Sequence, residues 1–468
     1  MPGKRRTLAG RRRMVGYTQE QLAAVLGVER TTVVRWEAGE TCPQPWCRPK
    51  LARALDVSVE ELDTMLAGDQ TVEDERSGSS SELQDNGHLC DVDAAEEPKD
   101  DLEHDPVLVA PWNHRGTVDA VVLLSGGDWV KRREFEFLAG TALTAPAHQW
   151  LVHEPEPLVL GLSGRRISAG MVHQFTAMIA ELRKMDDVVG GGSALALAQH
   201  EFGWVAALLD QARYDERTGR MLFVALAELG QLCGWAAYDA GQHALAQRYY
   251  VAALRATHSA DDRPLGAHVL SLMAEQAARQ GQPTEAVTLI QTALAGTRGR
   301  QTPSLLAELY TGQAYAFATL GDASGCTAAL SQARTQIERL TPAAEPSWLY
   351  WVNPATMTSD VGSALRQLGH AEQAATMLEN GIALFDDSLP RGQAGYLVAL
   401  ADVRSRPGKQ RDLDVAASYG MEAIRLTETL DSPRLAGLIR NLYHQMTPHA
   451  TVSAVGDFLE RARSLVTV

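Results

Sequence analysis

Arg30, Thr31, Thr32 and Arg35 stand within one short stretch, interrupted by Val33 and Val34 and followed by Trp36 and Glu37. Guanidinium groups pair with guanine edges or phosphate oxygens, and threonine hydroxyls bond either. This set is therefore equipped to read a nucleic acid rather than to break a bond. Residues for covalent chemistry are poorly supplied. The sequence has no Walker loop, no G-x-S-x-G elbow and no paired Cys–His set for nucleophilic attack, and Gly161-Leu162-Ser163-Gly164 lacks the elbow's spacing. His153-Glu154 is not spaced as a metal site, and Cys42, Cys47, His88 and Cys90 lack paired C-x-x-C spacing. The chain is accordingly read as no enzyme, with no cofactor and no metal.

Such side chains need a rigid element to present them. Thr18 is a good N-cap, Leu22, Ala23 and Leu26 fall on one helical face, and Gly27 lets the chain turn. A second helix from near Glu29 buries Val33 and Trp36 and leaves Arg30, Thr31, Thr32 and Arg35 outward. That is the pattern of a helix-turn-helix. The ordered set of Arg12, Arg13, Thr18-Gln19, Gly27, Val33, Trp36, Glu37, Leu51–Leu55 and Val57–Leu62 resembles the Xre/Cro-like repressors over roughly the first 66 residues. The resemblance implies a five-helix DNA-binding domain, placed at residues 1–67, whose third helix enters the major groove. It also implies a DNA-binding set of Arg12, Gln19, Arg30, Thr31, Thr32 and Arg35. Within it Gln19 lies on a phosphate, Arg30, Thr31 and Arg35 read bases, and Arg12 additionally pairs with Glu37.

The net charge of −15 argues against nucleic acid until it is divided along the chain. Residues 1–53 hold eleven Lys or Arg against four acids, whereas residues 69–105 hold fourteen Asp or Glu against Arg76 and Lys99. One segment can neutralise phosphates and the next is repelled by them. Residues 68–105, with Ser77-Gly78-Ser79-Ser80-Ser81 and few aromatic or β-branched residues, read as a disordered acidic linker reaching on the order of 35 Å. The sharper alternative is a segment that folds back on the basic head as a DNA mimic. No unbroken apolar run of about 20 residues is found, so no membrane span is expected. Arg132-Arg133 followed by Glu134–Leu138 superficially looks like a twin-arginine export signal, but it lies deep in the chain and reads as an amphipathic helix. Five scattered cysteines fit reduced thiols, and a cytoplasmic location is expected.

From about Ala194 the sequence is rich in Ala and Leu and broken by glycines, so an all-α fold is expected. Gly241, Gly281 and Gly321 are 40 residues apart. Each is followed five residues later by Ala246, Ala286 or Cys326, at nine by Tyr250, Ile290 or Leu330, and at twelve by Ala253, Ala293 or Ala333. Gly369 continues the series with Ala374, Leu378 and Gly381, and Pro303, Pro346, Pro390 and Pro433 fall between units. The spacing resembles the tetratricopeptide repeat (TPR), although the period exceeds the family's usual length of about 34 and the consensus Trp and Tyr are mostly absent. The expected architecture is a TPR-like α-solenoid over residues 193–468, closed by a capping helix at Ser453–Val466, with 106–192 as a connecting helical region. A non-repeating bundle is the alternative.

Stacked helix pairs form a concave face, which is a binding surface by geometry. In this register the ligand-groove residues are Gln231, Trp235, Tyr238, Glu275, Arg279, Tyr315 and Arg366, with Glu228, Ser271, Thr311, Ser363 and Gln367 on the same faces. Trp235 and Tyr238 alternatively fill core between repeats. The pairing of modules resembles bacterial peptide-responsive regulators of the RRNPP type, which implies a homodimer and a peptide or small-molecule ligand in the repeat groove. The reading is a sequence-specific transcriptional regulator with double-stranded DNA as partner. The alternative is an interaction scaffold whose repeats dock a protein while the head tethers it to DNA.

Overall fold

The structure is a computed structural model and describes residues 6–15, 17–26, 28, 30–38, 43, 48–55, 57, 62, 105–126, 137–156, 164–340, 345–386 and 388–466. It divides into two compact units, residues 1–95 and 96–468. Among the described residues the regular structure is helical, with a single isolated bridge between Arg166 and Arg213. This is the all-α architecture expected.

In the first unit the described helices are α1 (Arg6–Met14), α2 (Gln19–Leu26), α3 (Arg30–Ala38) and α4 (Arg48–Leu55). Leu8, Leu22, Ala23, Leu26, Val33, Trp36, Leu51, Ala52, Leu55 and Leu62 form one buried cluster. The apolar spacing of α2 and α3 thus faces inward as their 3.6-residue period requires. Each large side chain in it contributes about 1.5–3 kcal/mol through burial. Three helix ends close alike, with the N–H groups of Tyr17, Val28 and Val57 donating to the carbonyls of Arg12, Ala23 and Ala52, five residues back. Gly27, Glu29 and most of the expected fifth helix lie outside the described residues, as does the linker at 68–104.

Asp105, assigned to that linker, instead belongs to the second unit. It caps α5 (Pro106–Val109) and is buried against Arg248, 2.8 Å away. α6 (His114–Ser125), α7 (Gly140–Val152), α8 (Ala169–Val189) and α9 (Gly191–Gln211) follow. Trp150 of α7 is fully buried, and its indole leaves no space for a side chain at Gly266 or Gly296, where an added Cβ would lie 2.5 and 2.3 Å from it. A single buried cluster runs from Val107 to Met357, so the packing does not break at the 192/193 boundary drawn from the sequence.

Antiparallel helix pairs come next. They are α10 (Glu216–Asp239) with α11 (His243–Ala260), α12 (Arg263–Arg279) with α13 (Pro283–Gly296), and α14 (Pro303–Leu320) with α15 (Ala323–Ile337). After them come α16 (Pro354–Gln367) with α17 (Ala371–Ile382), α18 (Pro390–Ser405) with α19 (Leu413–Thr427), and α20 (Pro433–Met446) with α21 (Ser453–Val466). α10 is long and apolar enough on average to cross a membrane, although Glu228 and Gln231 interrupt its apolar run, and most of its surface is buried among its neighbours.

The glycine series marks the turns. Gly241, Gly281, Gly321 and Gly369 have φ of 79°, 78°, 83° and 86°, a region other residues rarely adopt. In each case the residue after the glycine donates its N–H to the carbonyl five residues back, at 2.8 to 2.9 Å. The small residues at the fifth position, Ala246, Ala286, Cys326 and Ala374, are completely buried where paired helices approach. Gly381 is tighter still, since an added Cβ would meet Ser359 Oγ at 2.2 Å. Pro303, Pro390 and Pro433 open helices at the first position rather than standing in the gaps, because proline needs no N–H there.

The array does not remain an open groove. Gly192 N–H donates to Asp431 O at 3.0 Å, and Asp431 N–H donates to Val189 O at 2.7 Å. Ser432 Oγ and Arg434 Nε both donate to Asp239 Oδ1, at 2.8 and 2.9 Å. Arg391 of α18 grips Asp186 of α8. Late helices are thereby bonded to early ones, and the inner face becomes the wall of a cavity.

Candidate nucleic-acid interface and an enclosed cavity

In the first unit α3 exposes Arg30, Thr31, Val34 and Arg35, with Thr32 half-buried, while Val33 and Trp36 face the core. Residues at this spacing share one helical face, so the exposed set forms a stripe that no described core residue covers. Arg30 Nη1 lies 3.7 Å from Glu20 Oε1, both well exposed, an association weak enough to be exchanged for a phosphate. Val34, absent from the sequence-derived set, is 39% exposed in this stripe and offers apolar contact of the kind a thymine methyl takes. Its position one turn beyond Arg30 was the available signal.

Arg12 sits elsewhere. It is 6% exposed, with Nε and Nη2 donating to the two carboxylate oxygens of Glu37 at 2.6 and 3.2 Å and Nη1 donating to Tyr17 O at 2.7 Å. The pairing with Glu37 is formed as expected, but the same geometry removes Arg12 from the set that could touch DNA, because the side chain is buried and each of its three guanidinium nitrogens already donates inside the unit. Gln19 Nε2 also donates to Glu37, at 2.7 Å, which leaves one amide N–H for a phosphate. Glu37 is thus the joint at which α1, α2 and α3 are held, and the pose of the exposed stripe depends on it. Residues 8–62 match the helix-turn-helix family. Comparison with the curated proteins finds no match to the chain. The helix-turn-helix supports a DNA-binding transcriptional regulator.

Beyond the helix-turn-helix, the second unit holds a partly open cavity of about 490 Å³. Six of the seven expected groove residues line it: Gln231, Trp235, Glu275, Arg279, Tyr315 and Arg366. Tyr238, the seventh, is 2% exposed and does not line it. Its ring lies against Trp235 at 5.7 Å and beneath Arg434 at 5.8 Å, so it fills core at the closure. Burial raises its hydroxyl well above the ordinary tyrosine range. Trp235 serves both purposes, its ring lying 5.4 Å from the guanidinium carbons of Arg391 and Arg434 while it borders the cavity.

Six arginines and six acids line the cavity, so its selectivity must come from local pairing rather than from net charge. On one side Arg391 donates to Asp186 at 2.8 Å and to Asp187 at 3.3 Å, and Asp187 accepts from Tyr350 Oη at 2.6 Å. Burial pushes the Asp187 carboxyl up to about 6 against the pull of Arg391. Asp239 behaves oppositely. Burial works to raise it, but Arg434 and Arg391 outweigh that and hold it below the usual carboxylate range. Arg366 and Arg406 share Asp402 at 2.7 and 2.8 Å.

The other side is acidic and aromatic. Arg279 pairs with Glu275 at 2.9 Å and lies 5.0 Å from the Tyr315 ring centre. His268 Nδ1 donates to Glu308 Oε1 at 2.7 Å, and its ring stacks on Trp348 at 5.0 Å. Asp360 accepts only from Tyr396 Oη, at 2.7 Å, among the bonds of the described residues. Burial pushes Asp360 up to about 7, with Glu275 and Glu308 adding to the rise and the Tyr396 bond opposing it.

Sequence reasoning placed Ser271, Thr311 and Ser363 on the inner face, and all three line the cavity. It missed His268, Glu308 and Asp360, each three residues earlier on the same helical stripe. Extending the stripe by one turn would have found them.

Proposed function

We propose that this chain is a ligand-responsive transcriptional regulator. Its helix-turn-helix reads a specific site on double-stranded DNA, and its TPR-like unit holds a peptide or small molecule that controls the reading. What carries the sensor part is that inward residues from several helix pairs converge on one cavity within the size range of ligand pockets. A homodimer accompanies the reading, because a single small head makes few base contacts and two heads on a two-fold axis read paired half-sites. Control requires that the ligand favour one arrangement of the repeat array over another. The ion pairs that join α8 to α18 give that array a closed form whose strength a ligand between them can change.

The scaffold alternative, in which the repeats dock a protein, draws less support: bonds between early and late helices narrow the inner face that would take a partner segment. The test is selection of genomic DNA fragments by the full chain and by a variant truncated after the helix-turn-helix. Retention of a common sequence by the full chain supports the reading. Retention without sequence preference contradicts it.

A further inference from the structure

The geometry points to a protonated amine as the group this cavity recognises, held by Glu308 and Asp360 beside Trp348 and Trp351. This deepens the proposed function and rests on the reading of the cavity as a ligand site.

The observation behind it is an unsatisfied atom. Glu308 lines the cavity at 3% exposure, one carboxylate oxygen accepts from His268, and Oε2 has no hydrogen-bond partner among the described residues. Carboxylate oxygens are acceptors, so the missing partner is a donor, and a cationic donor makes the stronger bond. Asp360 adds a second carboxyl whose only bond among the described residues is to a phenol, and Glu275 is already matched by Arg279. The acids on this wall therefore outnumber the cations beside them. Trp348 and Trp351 lie 5.0 and 6.3 Å from the His268 ring that Glu308 engages, which puts aromatic faces near the same carboxylate, the setting in which a desolvated cation gains most. On the cavity wall Arg366 Nε is likewise buried without an acceptor, so an acceptor elsewhere on the same ligand has a place to bond.

A bound cation favours the ionised form of Asp360. The charged and titratable groups facing that carboxyl are Tyr396 of α18, Glu275 and Arg279 of α12 and Glu308 of α14, and burial among them already holds its titration near neutrality. Amine affinity should therefore rise between about pH 6 and pH 8, while an alkylammonium itself stays protonated.

The experiment is calorimetric titration of the full chain with phenethylamine, phenethyl alcohol and 3-phenylpropionate. Trileucine with a free and with an acetylated amino terminus distinguishes a peptide source from a small amine. Expected is saturable binding of a free-amine probe, at least tenfold weaker binding of its neutral, acetylated or anionic counterpart, and loss of that preference in Glu308→Gln, which keeps an oxygen for His268. Equal or better binding of the alcohol, the acetylated peptide or the propionate overturns the amine inference and leaves the sensor reading standing. No binding by any probe overturns both. The wild-type comparison decides the matter even where Glu308→Gln fails to fold.

Discussion

Arg391 donates to Asp186 at 2.8 Å across 205 residues of chain, the bond that most directly closes the repeat array on itself. Asp186 ends the long α8 before the Gly190-Gly191-Gly192 break, and Arg391 opens α18, so neither local propensity nor the repeat spacing brings them together. Their contact ties an early helix to a late one beside the cavity that the stacked helix pairs line.

Removing one partner of this cluster leaves buried carboxylates uncompensated. Arg391→Met should cost about 3–5 kcal/mol, because Asp186, Asp187 and Asp239 all lose a cation. Urea denaturation of the full chain, followed by far-ultraviolet circular dichroism, measures it. A loss below about 1 kcal/mol would mean that the closure contributes little.

Asp360→Asn should alter how stability depends on pH. The carboxyl is raised from 3.8 unfolded to about 7 folded, so between these values the folded state holds a proton that the unfolded state has lost. Its contribution is then most favourable at low pH and declines as pH rises through that window. Relative to wild type, the variant should gain thermal stability from about pH 4 to about pH 8. A pH-independent difference in melting temperature would contradict the assignment.

In the helix-turn-helix, a buried arginine and an exposed valine should behave differently. Arg12→Met removes the bonds to Glu37 and Tyr17 and should weaken binding to all DNA sequences together, with a lower melting temperature for the head. Val34→Ala should leave stability unchanged and weaken binding only where a thymine methyl meets the stripe, by about 1 kcal/mol, readable in competition assays with uracil-substituted duplexes.

Two glycines separate conformational strain from crowding. At Gly281 φ is 78° and nothing lies near an added Cβ, so Gly281→Ala should cost only the backbone term, about 1–2 kcal/mol. Gly381→Ala instead drives a methyl into Ser359 and the backbone of α16, and should cost more, by about 1–3 kcal/mol of overpacking. Paired denaturation curves test the order.

The local grammar of this chain was legible. The apolar period of residues 18–37 located the core of the first unit, and the Gly241 series located four turns and the small residues packed behind them. Inner faces followed from the same register, which is why Gln231, Glu275 and Arg366 converge. Contacts between elements far apart in sequence were not legible. Arg391 and Asp186 carry no periodic signal, and without their bond the array reads as an open groove. Arg12 was legible as the partner of Glu37 and still counted among DNA contacts, because an exposed and a buried arginine look alike until the third dimension is fixed. Tyr238 failed similarly, one turn from Trp235 yet inside the core.

The central claim is that the exposed stripe of α3 reads bases. Its most direct measurement is fluorescence-anisotropy titration of the DNA site retained by the full chain, with every single-base variant of that site, for wild type, Arg35→Ala and Thr31→Ala. The account predicts that each substitution removes about 1–3 kcal/mol of discrimination at particular base pairs and leaves preference at the others intact. Unchanged affinity and unchanged preference in both variants would place the reading surface elsewhere.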